Sequence, residues 1–287
     1  MKTCRTIDEM RAACRAARQD RRRLGFVPTM GALHAGHMSL VRTARQQCDS
    51  VAASIFVNPT QFGPKEDFSK YPRTFDRDCE LLEAEGVAIL FAPTTEEIYP
   101  PGATTFVTVE DLSEKLCGRS RPGHFRGVST VVAKLFNIVE PDLAFFGQKD
   151  AAQVVIIRRM VRDLGFNVEI VVCPIVREPD GLALSSRNAY LNPEQRKQAT
   201  ALYRALMRVQ SLADHGESDS VRLSAAALEE FRQQPEVCLD YFEIVDRETL
   251  DPVVSTSRGA LVAVAAFVGT TRLIDNIVLH ATGEPPV

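Results

Sequence analysis

The sequence predicts an α/β fold: a mainly parallel sheet domain over residues 1–175, then a smaller α+β domain over 176–287. Three observations carry this expectation. Short apolar runs recur at 24–27, 51–57, 87–91, 143–146 and 168–172; apart from Ser54 and Glu169 they are apolar, as strands buried on both faces are. Longer amphipathic stretches lie between them, and such alternation builds βαβ units. After Val176 the alternation stops, and two helical stretches precede three strand-like ones.

In chain order, Ile7, Met10, Cys14 and Ala17 fall at helical spacing within residues 7–20. Residues 24–27 read as a buried strand. Met38, Leu40 and Val41 open an amphipathic helix running to about Gln47. Further helices are predicted over 76–84, 127–139 and 150–164, the last with Val154, Ile157, Val161 and Leu164 on one face. Residues 193–213 and 219–233 read as two helices, and 238–245, 259–268 and 272–280 as strands. The short Gly269-Thr270-Thr271 connection makes the last two an antiparallel hairpin.

The 287 residues suffice for one large domain or two modest ones, and 45% hydrophobic with 25% charged residues excludes disordered and fibrous classes. A net charge of −3 gives no electrostatic case for a nucleic-acid or acidic-membrane partner. The run Arg21-Arg22-Arg23 fits the solvated end of a helix. Seven cysteines without a Cys-x-x-Cys pair indicate neither a zinc ribbon nor a redox dithiol, and fit reduced thiols in the cytoplasm. No apolar segment follows Met1, and the longest apolar run, 260–268, is too short to span a bilayer. The expectation is a soluble, cytoplasmic protein with no nucleic-acid or membrane partner.

Four stretches place polar chemistry near strand ends. In the first, residues 28–37, two histidines three apart stand at a strand-to-helix turn, where open α/β sheets bind ligands. Gly31 permits a positive φ and Gly36 a close approach. Helix-start amides and imidazole N–H groups can donate to phosphate oxygens. A zinc pair and two ordinary surface histidines are the competing readings. The second stretch holds Asn58 and Gln61, neutral amides suited to a substrate with a hydroxyl and a carboxylate; Asn58-Pro59 alone is equally a turn. The third, Gly147-Gln148-Lys149-Asp150, puts a point charge between a strand and a helix without Walker A spacing, and Asp150 is equally a helix cap. The fourth, Ser185-Ser186-Arg187, is a polyphosphate clamp or a polar loop at the expected domain boundary. Nothing resembles an activated covalent nucleophile.

These four stretches, in this order and at these separations, resemble the pantoate–β-alanine ligase family. So do Asp8-Glu9-Met10-Arg11, Tyr71-Pro72-Arg73, Arg121-Pro122-Gly123-His124-Phe125 and Arg272-Leu273-Ile274-Asp275-Asn276, and the likeness covers nearly the whole chain. The resemblance implies a Rossmann-like nucleotidyltransferase domain with a His-x-Gly-His element, a smaller carboxy-terminal domain closing over the site, and a homodimer. It implies condensation of (R)-pantoate with β-alanine to pantothenate, using ATP and Mg²⁺ and passing through a pantoyl adenylate, with release of AMP and pyrophosphate.

Carried over by residue, the resemblance makes Met30, Gly31, Ala32, Leu33, His34, Ala35, Gly36 and His37 the lining of the ATP site, with His37 a proton donor beside His34. Gln61 and Gln153 would hold pantoate, Asn58 would join them, and Gln61 would also face β-alanine. Gly147, Gln148, Lys149 and Asp150 would contact ATP, Lys149 on the phosphates and Asp150 near the ribose. Val176, Leu184, Ser185, Ser186 and Arg187 would complete the nucleotide site. His34, His37, Lys149, Ser185, Ser186 and Arg187 would spread the charge that builds as pyrophosphate leaves. Asp78 is assigned to the metal, with phosphate oxygens and water supplying most Mg²⁺ ligands. A nucleotidyltransferase of the same fold, which leaves the nucleotide on its product, is the alternative.

Overall fold

The computed structural model describes residues 1–64, 66, 68–232 and 234–281. Its strands and helices follow in this order: β1 (Lys2–Cys4), α1 (Ile7–Ala17), β2 (Leu24–Thr29), α2 (Ala35–Gln47), β3 (Ser50–Ile55), α3 (Phe75–Ala84), β4 (Ile89–Phe91), α4 (Thr95–Ile98), α5 (Cys117–Ser120), α6 (His124–Val139), β5 (Leu143–Gly147), α7 (Ala151–Leu164), β6 (Glu169–Cys173), α8 (Pro193–Ala199), α9 (Ala201–Asp214), α10 (Ser220–Leu228), β7 (Val237–Val245), β8 (Ala260–Val268) and β9 (Thr271–Leu279). Among the described residues no helix is long and apolar enough to cross a membrane.

The chain divides into two compact units. The first comprises Met1–Ser113, Arg121–Gln148 and Ile156–Pro174; the second comprises Glu114–Ser120, Lys149–Val155 and the chain from Ile175 onward.

In the first unit, a parallel sheet of six strands among the described residues has the order β1-β4-β3-β2-β5-β6. The near-continuous apolar runs are explained by cover on both faces. Phe145 belongs to the cluster formed with Met38, Val41 and Ala44 of α2, whereas the next residue, Phe146, sets its ring against Phe136 of α6 at 6.4 Å. Burying each such aromatic or branched side chain contributes about 1.5–3 kcal/mol. From β2 the chain crosses to β3 on one side, while β5 pairs on the other. That reversal is a topological switch point, and ligands of open α/β sheets bind outside the carboxyl ends of the strands there. Thr29 and Gly147 end those two strands.

Three details differ from expectation. β1 is an additional strand, paired to β4 through Cys4 and Phe91; only Cys4 of its three residues is buried, so no apolar run announces it. The helix expected over 193–213 is two, α8 and α9, meeting at Thr200. The helix expected over 219–233 ends at Leu228 and continues as a tighter turn through Phe231; Gln233 lies outside the described residues.

In the second unit, β7, β8 and β9 form an antiparallel sheet. The predicted hairpin is present, with Gly269 at φ 57° in its turn. Leu202, Leu206 and Val209 of α9 and Leu223 of α10 pack against Val262, Val264 and Val268 of β8.

Candidate active site

The loop between β2 and α2 is shaped by three local requirements. Gly31 sits at φ 83°, a left-handed conformation that L side chains rarely adopt, and a Cβ there would lie 3.0 Å from Asp78 Oδ2. His34 caps α2: its Nδ1 accepts the Gly36 N–H at 3.1 Å, and the His34 N–H donates to His37 Nδ1 at 3.3 Å. A Cβ at Gly36 would come within 2.9 Å of the His34 ring, so the glycine between the histidines is what lets the ring close over the helix end. The rings lie 4.2 Å apart between centroids. Because each Nδ1 accepts a backbone N–H, a neutral ring carries its proton on Nε2. The spacing His-x-Gly-His is thus a reciprocal helix cap that also orients two donors at a helix N-terminus, where anions are favoured.

Asp78 holds this loop from beneath. It is 1% exposed, and its carboxylate accepts the Ala32 N–H at 2.9 Å, the Leu33 N–H at 2.9 Å and the Thr74 hydroxyl at 3.1 Å. Both oxygens are engaged by the fold, so Asp78 is an anchor for the loop between β2 and α2, not the open carboxylate expected for a metal ligand. No group of three or more His, Cys, Asp or Glu among the described residues is arranged to hold a metal ion.

Asn58 and Gln61, also in the first unit, form a hydrogen-bonded corner after β3. Asn58 is 1% exposed, and its Nδ2 donates to Gln61 Oε1 at 3.0 Å and to the Gly127 carbonyl at 3.1 Å. Its Oδ1 accepts from Tyr99 and from the Thr60 hydroxyl, both at 2.9 Å. Asn58 is therefore committed to protein partners and orients Gln61. With its carbonyl oxygen bonded to Asn58, Gln61 directs Nε2 toward Met30 Sδ at 3.0 Å. Helix α6 approaches so closely that a Cβ at Gly127 would lie 2.3 Å from the Thr60 carbonyl oxygen.

Arg121 and His124 support the same corner. His124 Nδ1 donates to the Gln61 backbone carbonyl at 2.8 Å, which leaves Nε2 to accept from Arg121 at 3.0 Å. Arg121 in turn makes two bonds to Glu66, at 2.8 and 2.6 Å. Burial pushes the Glu66 carboxyl up, but the hydrogen bond and charge of Arg121 outweigh it and hold the pKa below its ordinary value. The chain Glu66–Arg121–His124 thus ends on the backbone of Gln61. These residues shape the corner, and their spacing alone gave no hint of it.

Gly147 ends β5 and Gln148 follows it in the same unit. A Cβ at Gly147 would meet nothing within 4 Å, so packing among the described residues does not demand glycine there.

The second unit carries Lys149, Asp150, Gln153, Val176 and residues 184–187. Lys149 is half-buried. Desolvation draws its pKa below the usual lysine range; the charges of Asp150 and Asp275 oppose that shift, and Arg187 adds to it. The effect of Arg187 places two cations within electrostatic reach of one another, an arrangement suited to a multiply charged anion. Ser185 caps the turn that follows, its Oγ accepting the Arg187 N–H at 3.3 Å. Asn188 secures this turn through bonds to Glu178 and to the Ala183 carbonyl. Asp150 is exposed; Gln153, Val176, Leu184, Ser186 and Arg187 are half-buried.

The sequence of this chain matches the pantoate-beta-alanine ligase family over residues 2–278. A pantothenate synthetase of Koribacter versatilis is 62% identical over 284 residues, which cover 99% of this chain and 98% of that protein. The crystal structure of a pantothenate synthetase from Thermus thermophilus superposes with a TM-score of 0.92 at 51% identity, covering 96% of this chain and 99% of that one. A pantoate-beta-alanine ligase from Francisella tularensis, solved in complex with beta-gamma ATP and beta-alanine, has a TM-score of 0.79 at 34% identity, with 97% of each chain covered. Matched in sequence and in fold along nearly its whole length, the chain belongs to the pantoate-beta-alanine ligase family, the ATP-dependent ligases named pantothenate synthetase.

Proposed function

We propose that this chain joins (R)-pantoate to β-alanine in two steps, through an enzyme-held pantoyl adenylate, and that the residues above divide the work. The observation that carries the reading is the reciprocal cap of His34 and His37, which aims two imidazole donors from the carboxyl end of β2 at a helix N-terminus. In the first step the pantoate carboxylate attacks the α-phosphorus of ATP and pyrophosphate leaves. The protein's part is positioning and charge stabilisation. His34, His37, Lys149, Ser185, Ser186 and Arg187 supply that charge, and Met30 through His37, Gly147, Gln148, Asp150, Val176 and Leu184 shape the nucleotide site. In the second step the neutral amine of β-alanine attacks the acyl carbon, and AMP leaves.

Gln61 and Gln153 are the pantoate amides. Gln61 is pre-oriented by Asn58, so Asn58 acts on substrate through Gln61. The complex of the Francisella relative with a nucleotide and β-alanine supports both co-substrates. Mg²⁺ is read as arriving with ATP, on phosphate oxygens and water, and no step depends on a resident metal. A cytoplasmic homodimer is the assembly the family resemblance favours, and seven free cysteines fit a reducing compartment.

Product analysis tests this reading. Incubated with ATP, Mg²⁺ and pantoate, the protein should release pyrophosphate once per site and then stall. Adding β-alanine should release AMP and pantothenate in step. A nucleotide retained on the final product would instead make the protein a nucleotidyltransferase, and the roles of Gln61 and Gln153 would fall.

A further inference from the structure

The Arg-Leu-Ile-Asp-Asn stretch on β9 has no part in the chemistry above, yet it buries a charge. Asp275 shares its strand face with Leu273 and Leu279, members of the apolar cluster beneath α9 and α10, and is 2% exposed. Burying a carboxylate is costly, and a buried ion pair is a weak source of stability. Its bonds show what it holds. Arg177 grips it in a two-point contact, Nη1 to Oδ2 at 2.6 Å and Nη2 to Oδ1 at 3.0 Å. The same guanidinium donates to the Gly181 carbonyl at 3.0 Å and lies 4.6 Å from the Tyr203 ring centroid. Arg177 stands at the base of a short hairpin, in which the Leu184 N–H donates to the Val176 carbonyl and the Glu178 N–H to the Leu182 carbonyl. Asp275 thereby fixes the segment that delivers Ser185, Ser186 and Arg187. The next residue reaches a different segment: Asn276 Nδ2 donates to the backbone carbonyl of Lys149 at 2.9 Å. The two residues are tied together, since the Asn276 N–H donates to Asp275 Oδ1 at 2.8 Å.

We propose that Asp275 and Asn276 form a positioning junction that holds Lys149 in register with the Ser185–Ser186–Arg187 loop, so that both meet the ATP phosphates in one fixed geometry. This rests on the reading of Lys149 as a phosphate-binding cation. Neither residue is assigned a contact with substrate; one acts through Arg177 and the other through the Lys149 backbone. The electrostatics run the same way, because the Asp275 charge favours the protonated form of Lys149 against its burial.

The test is a double-mutant cycle on the first half-reaction, read as pantoate-dependent exchange of labelled pyrophosphate into ATP without β-alanine. Asn276→Ala should lower the exchange rate on the order of ten- to hundred-fold, as a small misplacement of a catalytic group does, with the KM for pantoate unmoved. In a Lys149→Ala background the same substitution should have no further effect. Asn276→Asp, which keeps the shape and removes the donor, should reproduce the result if Asn276→Ala folds poorly. Equal losses from Asn276→Ala with and without Lys149 would overturn the junction and leave Asn276 a packing residue. If Lys149→Ala itself exchanges at the wild-type rate, the phosphate role of Lys149 falls and the junction falls with it.

Discussion

Gln61 in the first unit and Lys149 in the second are both read as facing substrate, yet their surroundings differ in kind. Around the Gln61 side chain the partners are neutral, an amide from Asn58 and a thioether from Met30. Charge reaches only its backbone carbonyl, which accepts from His124 and, at 3.5 Å, from Arg121, the cation paired with Glu66. Around Lys149 the influences are charges, from Asp150, Arg187 and Asp275, in a desolvated setting. A group that must distinguish a hydroxyl and a carboxylate needs direction, which hydrogen bonds supply. A group that must meet growing phosphate charge needs field strength, which burial amplifies. The two corners therefore should fail differently.

The largest expected difference comes from Lys149→Ala. Removing one preorganised charge-stabilising donor typically costs about 10²–10³ in rate, and adenylate formation should fall by that much while nucleotide binding, measured by calorimetry or fluorescence titration, changes far less. Equal losses in affinity and turnover would contradict the assignment. The same residue sets a pH limit. Its pKa is lowered by burial, so the charged form is lost as pH rises through a value below the ordinary lysine range. The alkaline limb of kcat/KM for ATP should fall at correspondingly lower pH, since that ratio reports the free enzyme. Lys149→Arg should push the limb upward. No comparable limb should track Gln61, which does not titrate.

A smaller effect is expected from Asn58→Ala. It strips the Gly127 carbonyl of a buried donor and two hydroxyls of their acceptor, at about 1–3 kcal/mol for each group left unsatisfied. The KM for pantoate should rise roughly ten-fold, equivalent to about 1.4 kcal/mol, with little change in the KM for ATP. A change confined to ATP would break the contrast between the two corners.

Smaller still in its effect on chemistry is Asp78→Asn. One accepting oxygen becomes a donor facing a backbone N–H or the Thr74 hydroxyl, which should lower stability by about 1–3 kcal/mol in a denaturant melt. The magnesium dependence of the rate should not move. A shifted magnesium requirement at unchanged stability would restore Asp78 as a metal ligand.

Much of the fold was legible because period and composition report burial directly. The five apolar runs mark five strands of the parallel sheet, and the hairpin of β8 and β9 shows as two apolar-rich stretches on either side of Gly269-Thr270. What escaped lacks a local signal. β1 buries one residue of three, and Thr200 interrupts a helix without a proline or glycine. The site shows the same boundary. The motif residues stand out as polar groups after apolar runs. The role of Asp78 depends on backbone N–H groups 45 and 46 residues away, and that of Asn276 on a carbonyl 127 residues away. Bonds to backbone atoms leave no trace in the partner's side-chain identity.

Activation of pantoate as an acyl adenylate is the step on which every role above depends, and the path of one oxygen atom tests it most directly. Pantoate labelled with ¹⁸O in its carboxylate should transfer one labelled oxygen to AMP in the complete reaction with β-alanine. Label found in inorganic phosphate, or AMP free of label, would contradict the account.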